Sequence, residues 1–155
     1  MKSQQDPSLY HLPPHNLEAE EAIISAILHD NSTLMDIVEV LAADDFYRSA
    51  HQKIYATMLE LFGKGEPVDL VTLANALKVK GHLETMGGIS SIIQILESVP
   101  IAVNAVHYAR IIHDKGCLRR LIEKANHIVN GPTGLAPLTF LKSYTRFENP
   151  APEIR

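Results

Sequence analysis

Apolar residues recur three and four positions apart along most of the chain, and no stretch alternates apolar and polar residues with period two. That pattern predicts helices. Asn16 stands before a helix over about residues 17–28, with Leu17, Ile23, Ile24, Ile27 and Leu28 on one face and Glu18, Glu20, Glu21 and Ser25 elsewhere. A shorter helix covers roughly 33–41, and residues 42–48 form a connector carrying Phe46 and Tyr47. Ser49 and Gln52 read as a capping box opening a helix to about Phe62, with Ile54, Tyr55, Met58, Leu61 and Phe62 as its buried stripe. Gly63 and Gly65 end it.

Asp69 caps the next helix, about 70–80, which turns Leu70, Leu73, Ala74 and Leu77 inward and ends at Gly81. A fifth helix follows Gly87-Gly88, with Ile89, Ile92, Ile93 and Leu96 as its stripe, and Pro100 breaks the chain again. Asn104 caps a final helix reaching about Val129, interrupted only by Gly116. Roughly 25 residues at 1.5 Å each give about 37 Å, long for a small domain, so part of this helix is expected to project from the head. The fold class is all-α: a compact head of about five short helices, then a long helix that would start a helical hairpin. Residues 1–15 read as a flexible arm, 16–130 as the domain, and 131–155 as an atypical tail where prolines return and the helical stripe is lost.

Composition adds exclusions. The 155 residues hold 14 Lys+Arg against 18 Asp+Glu, a net charge of −4, which weighs against nucleic-acid binding by the whole surface. One cysteine, Cys117, rules out an internal disulfide and a cysteine-based zinc site. No apolar run approaches the ~18 residues of a membrane span, and the first residues lack the apolar core of a signal peptide, so a cytoplasmic protein is expected.

Candidate chemistry is sparse. Gly63-Lys64-Gly65 and Gly131-Pro132-Thr133-Gly134 lack the spacing of a phosphate loop and suit turns. His11 and His15 are separated by two prolines, His107 and His113 fall on different helix faces, and no metal pair emerges. Asp44-Asp45 suits a solvated or capping connector better than acid–base work. Cys117 near Lys115 offers an activated thiol, with an ordinary helix cysteine the plainer reading. Lys115, Arg119, Arg120 and Lys124 form a basic sector that would serve as a partner or phosphate patch or as an ordinary solvated face. Residues 68–88 have a helix–glycine–helix rhythm, but the second helix opens with glycines and isoleucines and makes a poor reader of base edges. Ile111, Leu118, Ile122, Ala125 and Val129 continue an apolar stripe that the short helices cannot cover, which points to self-association through the long helix.

Taken in order, PPHNLEAEEAIISAIL (13–28), DDFYRSAHQKIYATMLEL (44–61), GEPVDLVTLANALKVKGHLETMGG (65–88), VPIAVNAVHYARIIHDK (99–115) and LRRLIEKANHIV (118–129) resemble the N-terminal domain of the bacterial replicative DNA helicase, the DnaB family. The resemblance covers about residues 12–130. It implies a helical head and hairpin, six copies of which form a collar as a trimer of dimers and dock the primase. It implies no catalytic residue, cofactor or metal in this chain, with ATP and Mg bound by a separate C-terminal domain that the chain is expected to lack. The implied partners are other copies of itself, primase, a helicase loader and, indirectly, DNA. A free-standing helical DNA-binding module is the alternative. The family would turn near Gly131 into a second, acidic hairpin helix, which residues 131–155 do not supply. A truncation, a frameshift or an internal deletion would each account for that departure, which bears on the hairpin interface and on hexamer formation.

Overall fold

A computed structural model describes residues 12–98 and 104–130. The tail at 131–155, the break at Pro100 and the histidine at position 11 fall outside them. The described elements are helices α1 (Leu17–His29), α2 (Thr33–Ile37), α3 (Ser49–Gly63), α4 (Leu70–Val79), α5 (Gly88–Ser98) and α6 (Ala105–Asn130), with 3-10 turns at Ala43–Asp45 and Glu84–Met86. No strand occurs among the described residues. The chain divides into two units, Met1–Arg119 and Arg120–Arg155.

In the first unit, α1 packs on α3 and α5, and α3 packs on α4 and on the Ala43–Asp45 turn. The core is built from Ile23, Ile24 and Ile27 of α1, Leu34 and Ile37 of α2, Phe46, Tyr55 and Met58, Leu73 and Leu77 of α4, Ile92 of α5 and Ile112 of α6, all essentially inaccessible. Each such side chain contributes about 1.5–3 kcal/mol through apolar burial. Phe46 and Tyr55 meet with ring centroids 5.0 Å apart, and the Tyr55 hydroxyl donates to the Leu41 carbonyl at 3.1 Å.

Several local signals act as the sequence predicts. The Asn16 side chain accepts from the Ala19 N–H at 3.0 Å. Asp69 Oδ1 accepts from the N–H groups of Val71 and Thr72 at 2.9 Å each, and Thr72 returns a bond to the Asp69 N–H. The Thr72 backbone bond, with those from the Thr72 hydroxyl and Val71, holds the Asp69 carboxyl below its ordinary range. Gly81, at φ +70°, closes α4 as the His82 N–H turns back to the Leu77 carbonyl at 2.9 Å. Asn104 Oδ1 accepts from the His107 N–H at 3.1 Å and opens α6.

Other expectations are corrected. Helix α2 stops at Ile37, and residues 38–40 form turns instead of carrying it to 41. Ser49 is the first residue of α3 and not its cap; Gln52 uses its side-chain amide to donate to the Phe46 carbonyl at 2.7 Å. The N–H groups just before α3 are met from α1. Glu20, predicted to lie off the buried face, is 1% exposed, and its carboxylate accepts from the Tyr47 N–H at 2.6 Å, the Arg48 N–H at 3.4 Å and His51 Nδ1 at 2.7 Å. Ser25 is buried as well. On α5 the inward face is Ile92 and Ile95, while Ile89 is exposed. Gly116 does not interrupt α6, which runs unbroken for 26 residues.

Candidate partner interface

Helix α6 meets the head beside the connector Asp-Asp-Phe-Tyr. Asp45 is 1% exposed, and its Oδ2 accepts from the Ala42 N–H and from His113 Nδ1, each at 3.0 Å. Gly116 lies directly against it. A β-carbon there would stand 2.6 Å from Asp45 Oδ1 and 2.9 Å from Asp45 Cα, so only glycine lets the helix approach this closely. Burial and the nearby Asp45 charge push the Tyr55 hydroxyl up to about 12.

Arg119 completes the junction. Its guanidinium donates to the carbonyls of Asp45 and Pro14, the latter at 2.6 Å, and lies 5.6 Å from the Tyr47 ring centre. His15 stacks on Tyr47 with ring centroids 4.4 Å apart. Pro14 and His15, grouped with the arm on sequence grounds, are thus in contact with the head.

The predicted basic sector is therefore not uniform. Arg119 faces backbone carbonyls, Lys115 and Arg120 are half-buried, and Lys124 is exposed. The apolar stripe is likewise divided. Ile111 is half-buried against the core. Leu118, near the end of the first unit, is 45% exposed. In the second unit every described residue from 121 to 130 is exposed, including Ile122, Ala125 and Val129. Leu121 and Ile128, outside the predicted stripe, are 64% and 61% exposed. Positions 121, 122, 125, 128 and 129 recur at three- and four-residue spacing, while Glu123, Lys124, Asn126 and His127 occupy the remaining positions. That is an amphipathic helical face with an apolar stripe open to solvent.

The head also carries a cleft of about 390 Å³ between α1, α3 and α5, with Glu21, Arg48, His51, Met86, Gln94 and Ile95 in its walls. Arg48 and Glu21 approach to 3.9 Å at its edge. Among the described residues no group of three or more His, Cys, Asp or Glu side chains is arranged to hold a metal ion, and no helix is long and apolar enough to cross a membrane. Gly63-Lys64-Gly65 does not fit a nucleotide phosphate. The Lys64 N–H turns back to Glu60 and Leu61, and the Gly65 N–H to Phe62, so these donors close α3 rather than face a ligand.

Known proteins are similar to this chain in sequence and fold. The DnaB-like helicase N terminal domain family matches residues 12–114. The chain is 51% identical over 117 residues to the replicative DNA helicase DnaC of Bacillus subtilis (strain 168) and 44% identical over 117 residues to the replicative DNA helicase DnaB of Geobacillus stearothermophilus. Each match covers 76% of this chain and 26% of the relative, so the chain spans about a quarter of the length of these helicases. The crystal structure of the N-terminal domain of DnaB helicase from Mycobacterium tuberculosis superposes with a TM-score of 0.72 at 40% identity, over 76% of this chain and 86% of that one. A DnaB-like replicative helicase, described with its interactions with primase, superposes with a TM-score of 0.65 at 22% identity, over 89% of this chain and 32% of that one. At that identity the likeness is one of fold.

Proposed function

Because the chain belongs to the DnaB-like helicase N-terminal domain family, we propose that it serves as the oligomerisation and primase-docking domain of a replicative helicase. The observation that carries this reading is the solvent-exposed apolar face of α6, formed by Leu121, Ile122, Ala125, Ile128 and Val129. Such a face is stable in water when a second helix covers it, and a second copy of the same face is the simplest cover. Leu118 and the basic positions Lys115, Arg120 and Lys124 belong to the same proposal, with Lys124 the exposed cation at its rim.

The work of the domain is assembly. Copies associate through α6, the collar they form offers its outer surface to primase and to a helicase loader, and DNA is held by the larger machine. ATP-dependent 5′–3′ unwinding, with ATP and Mg²⁺, belongs in this reading to a separate ATPase domain, and the site of action is the cytoplasm. Titration calorimetry of the chain against the helicase-binding domain of a Bacillus primase tests the docking role. Saturable heat is expected; none at concentrations of about 100 µM, where even weak domain contacts register, would remove it.

A further inference from the structure

Cys117 is exposed on α6, one turn after His113, and its Sγ lies 3.4 Å from His113 Nε2. The other nitrogen of that ring, Nδ1, is 3.0 Å from Asp45 Oδ2. An ionised carboxylate only accepts, so Nδ1 carries the proton and donates it to Asp45. In the neutral ring that leaves the lone pair of Nε2 facing the thiol. Nucleophile, base and orienting carboxylate thus stand in line, the arrangement that activates thiols. The sequence suggested Lys115 as the neighbour that would act on Cys117, but two residues along a helix point to different sides.

We propose that Cys117, with His113 as its base and Asp45 as a positioning residue, is a site of thiol–disulfide exchange with small-molecule disulfides. The Cys117 proton passes to His113 Nε2. The thiolate attacks one sulfur of a disulfide RSSR, a bond from Cys117 Sγ to that sulfur forms, and the original S–S bond breaks. The leaving RS⁻ takes the proton from the imidazolium. Cys117 is oxidised to a mixed disulfide while RSSR gives up one RSH, so atoms and electrons balance. Asp45, 1% exposed and fixed by the Ala42 N–H, stabilises the imidazolium that forms during the step.

The test is the rate at which Cys117 of the full chain reacts with an aromatic disulfide that releases a coloured thiol, measured across roughly pH 5 to 9. The unfolded chain in urea supplies the reference, because it holds the same single thiol without the relay. The native chain is expected to react about ten-fold faster than the unfolded chain near neutral pH, with the ratio falling toward one above about pH 9, where an unfolded cysteine is already ionised and needs no base. His113→Gln removes the excess, and Asp45→Asn reduces it, in chains whose helical circular dichroism matches wild type. A ratio that stays flat with pH reflects exposure alone and overturns the proposal. So does a native rate no faster than the unfolded one, a comparison that holds even if a variant fails to fold.

Discussion

Gly116 on α6 and Asp45 in the connector are in contact so close that a β-carbon on the glycine would stand 2.9 Å from the aspartate Cα. In an isolated helix, Gly→Ala gains about 1 kcal/mol. Here the helix would have to move away from Asp45, and overpacking of this kind costs about 1–3 kcal/mol. Gly116→Ala is therefore expected to lower the urea midpoint and to speed amide exchange in the first half of α6. A higher midpoint would mean that α6 does not rest on Asp45.

Glu20 is the second point on which the head depends. Glu20→Ala leaves the Tyr47 N–H and His51 without their buried acceptor, and removing one partner of such a network costs about 2–5 kcal/mol. Chemical denaturation of the variant is expected to show a loss of that size. A change below about 0.5 kcal/mol would place the carboxylate in water.

Arg119→Lys is expected to behave like Arg119→Ala, since a lysine lacks the planar fork that reaches both the Pro14 and Asp45 carbonyls. Both variants should release residues 12–16, seen as faster proteolytic cleavage there with the core of α1 and α3 still protected. Unchanged cleavage would show that the N-terminal segment is held by His15 and Tyr47 alone.

Tyr55 gives the fold an alkaline limit. Its hydroxyl is raised to about 12 by burial and by the Asp45 charge, above the ordinary value of 10.0. The folded chain therefore keeps a proton that the unfolded chain releases, and stability falls as pH rises between about 10 and 12, being fully present below that window. Tyr55 is expected to titrate late in an absorbance experiment, and Tyr55→Phe should abolish that late step. A Tyr55→Phe chain that keeps it would assign the late group elsewhere.

The sequence revealed those contacts whose partners lie within a turn. Asp69 caps α4 through residues two and three positions on, and Asn16 and Asn104 act over three. The apolar period placed the head's helices for the same reason, since it is a property of neighbouring residues. What it hid were contacts across long loops. Glu20 finds its acceptor role 27 positions away and Arg119 donates across 74, distances over which no local pattern exists. Hence Ser49 looked like a cap and Arg119 like part of a surface patch. Gly116 looked like a helix flaw because the aspartate it accommodates is brought beside it only by folding. The stripe on α6 was legible as spacing, but its widening to Leu121 and Ile128 shows only in their exposure.

The proposed assembly through α6 is tested most directly by sedimentation equilibrium over a wide concentration series. The wild-type chain, 17.2 kDa as a monomer, is expected to gain mass with concentration. Ile122→Asp combined with Val129→Asp, both at exposed positions that leave the head's core untouched, is expected to hold it at the monomer mass. A wild-type chain that sediments as a monomer throughout would contradict self-association by this face.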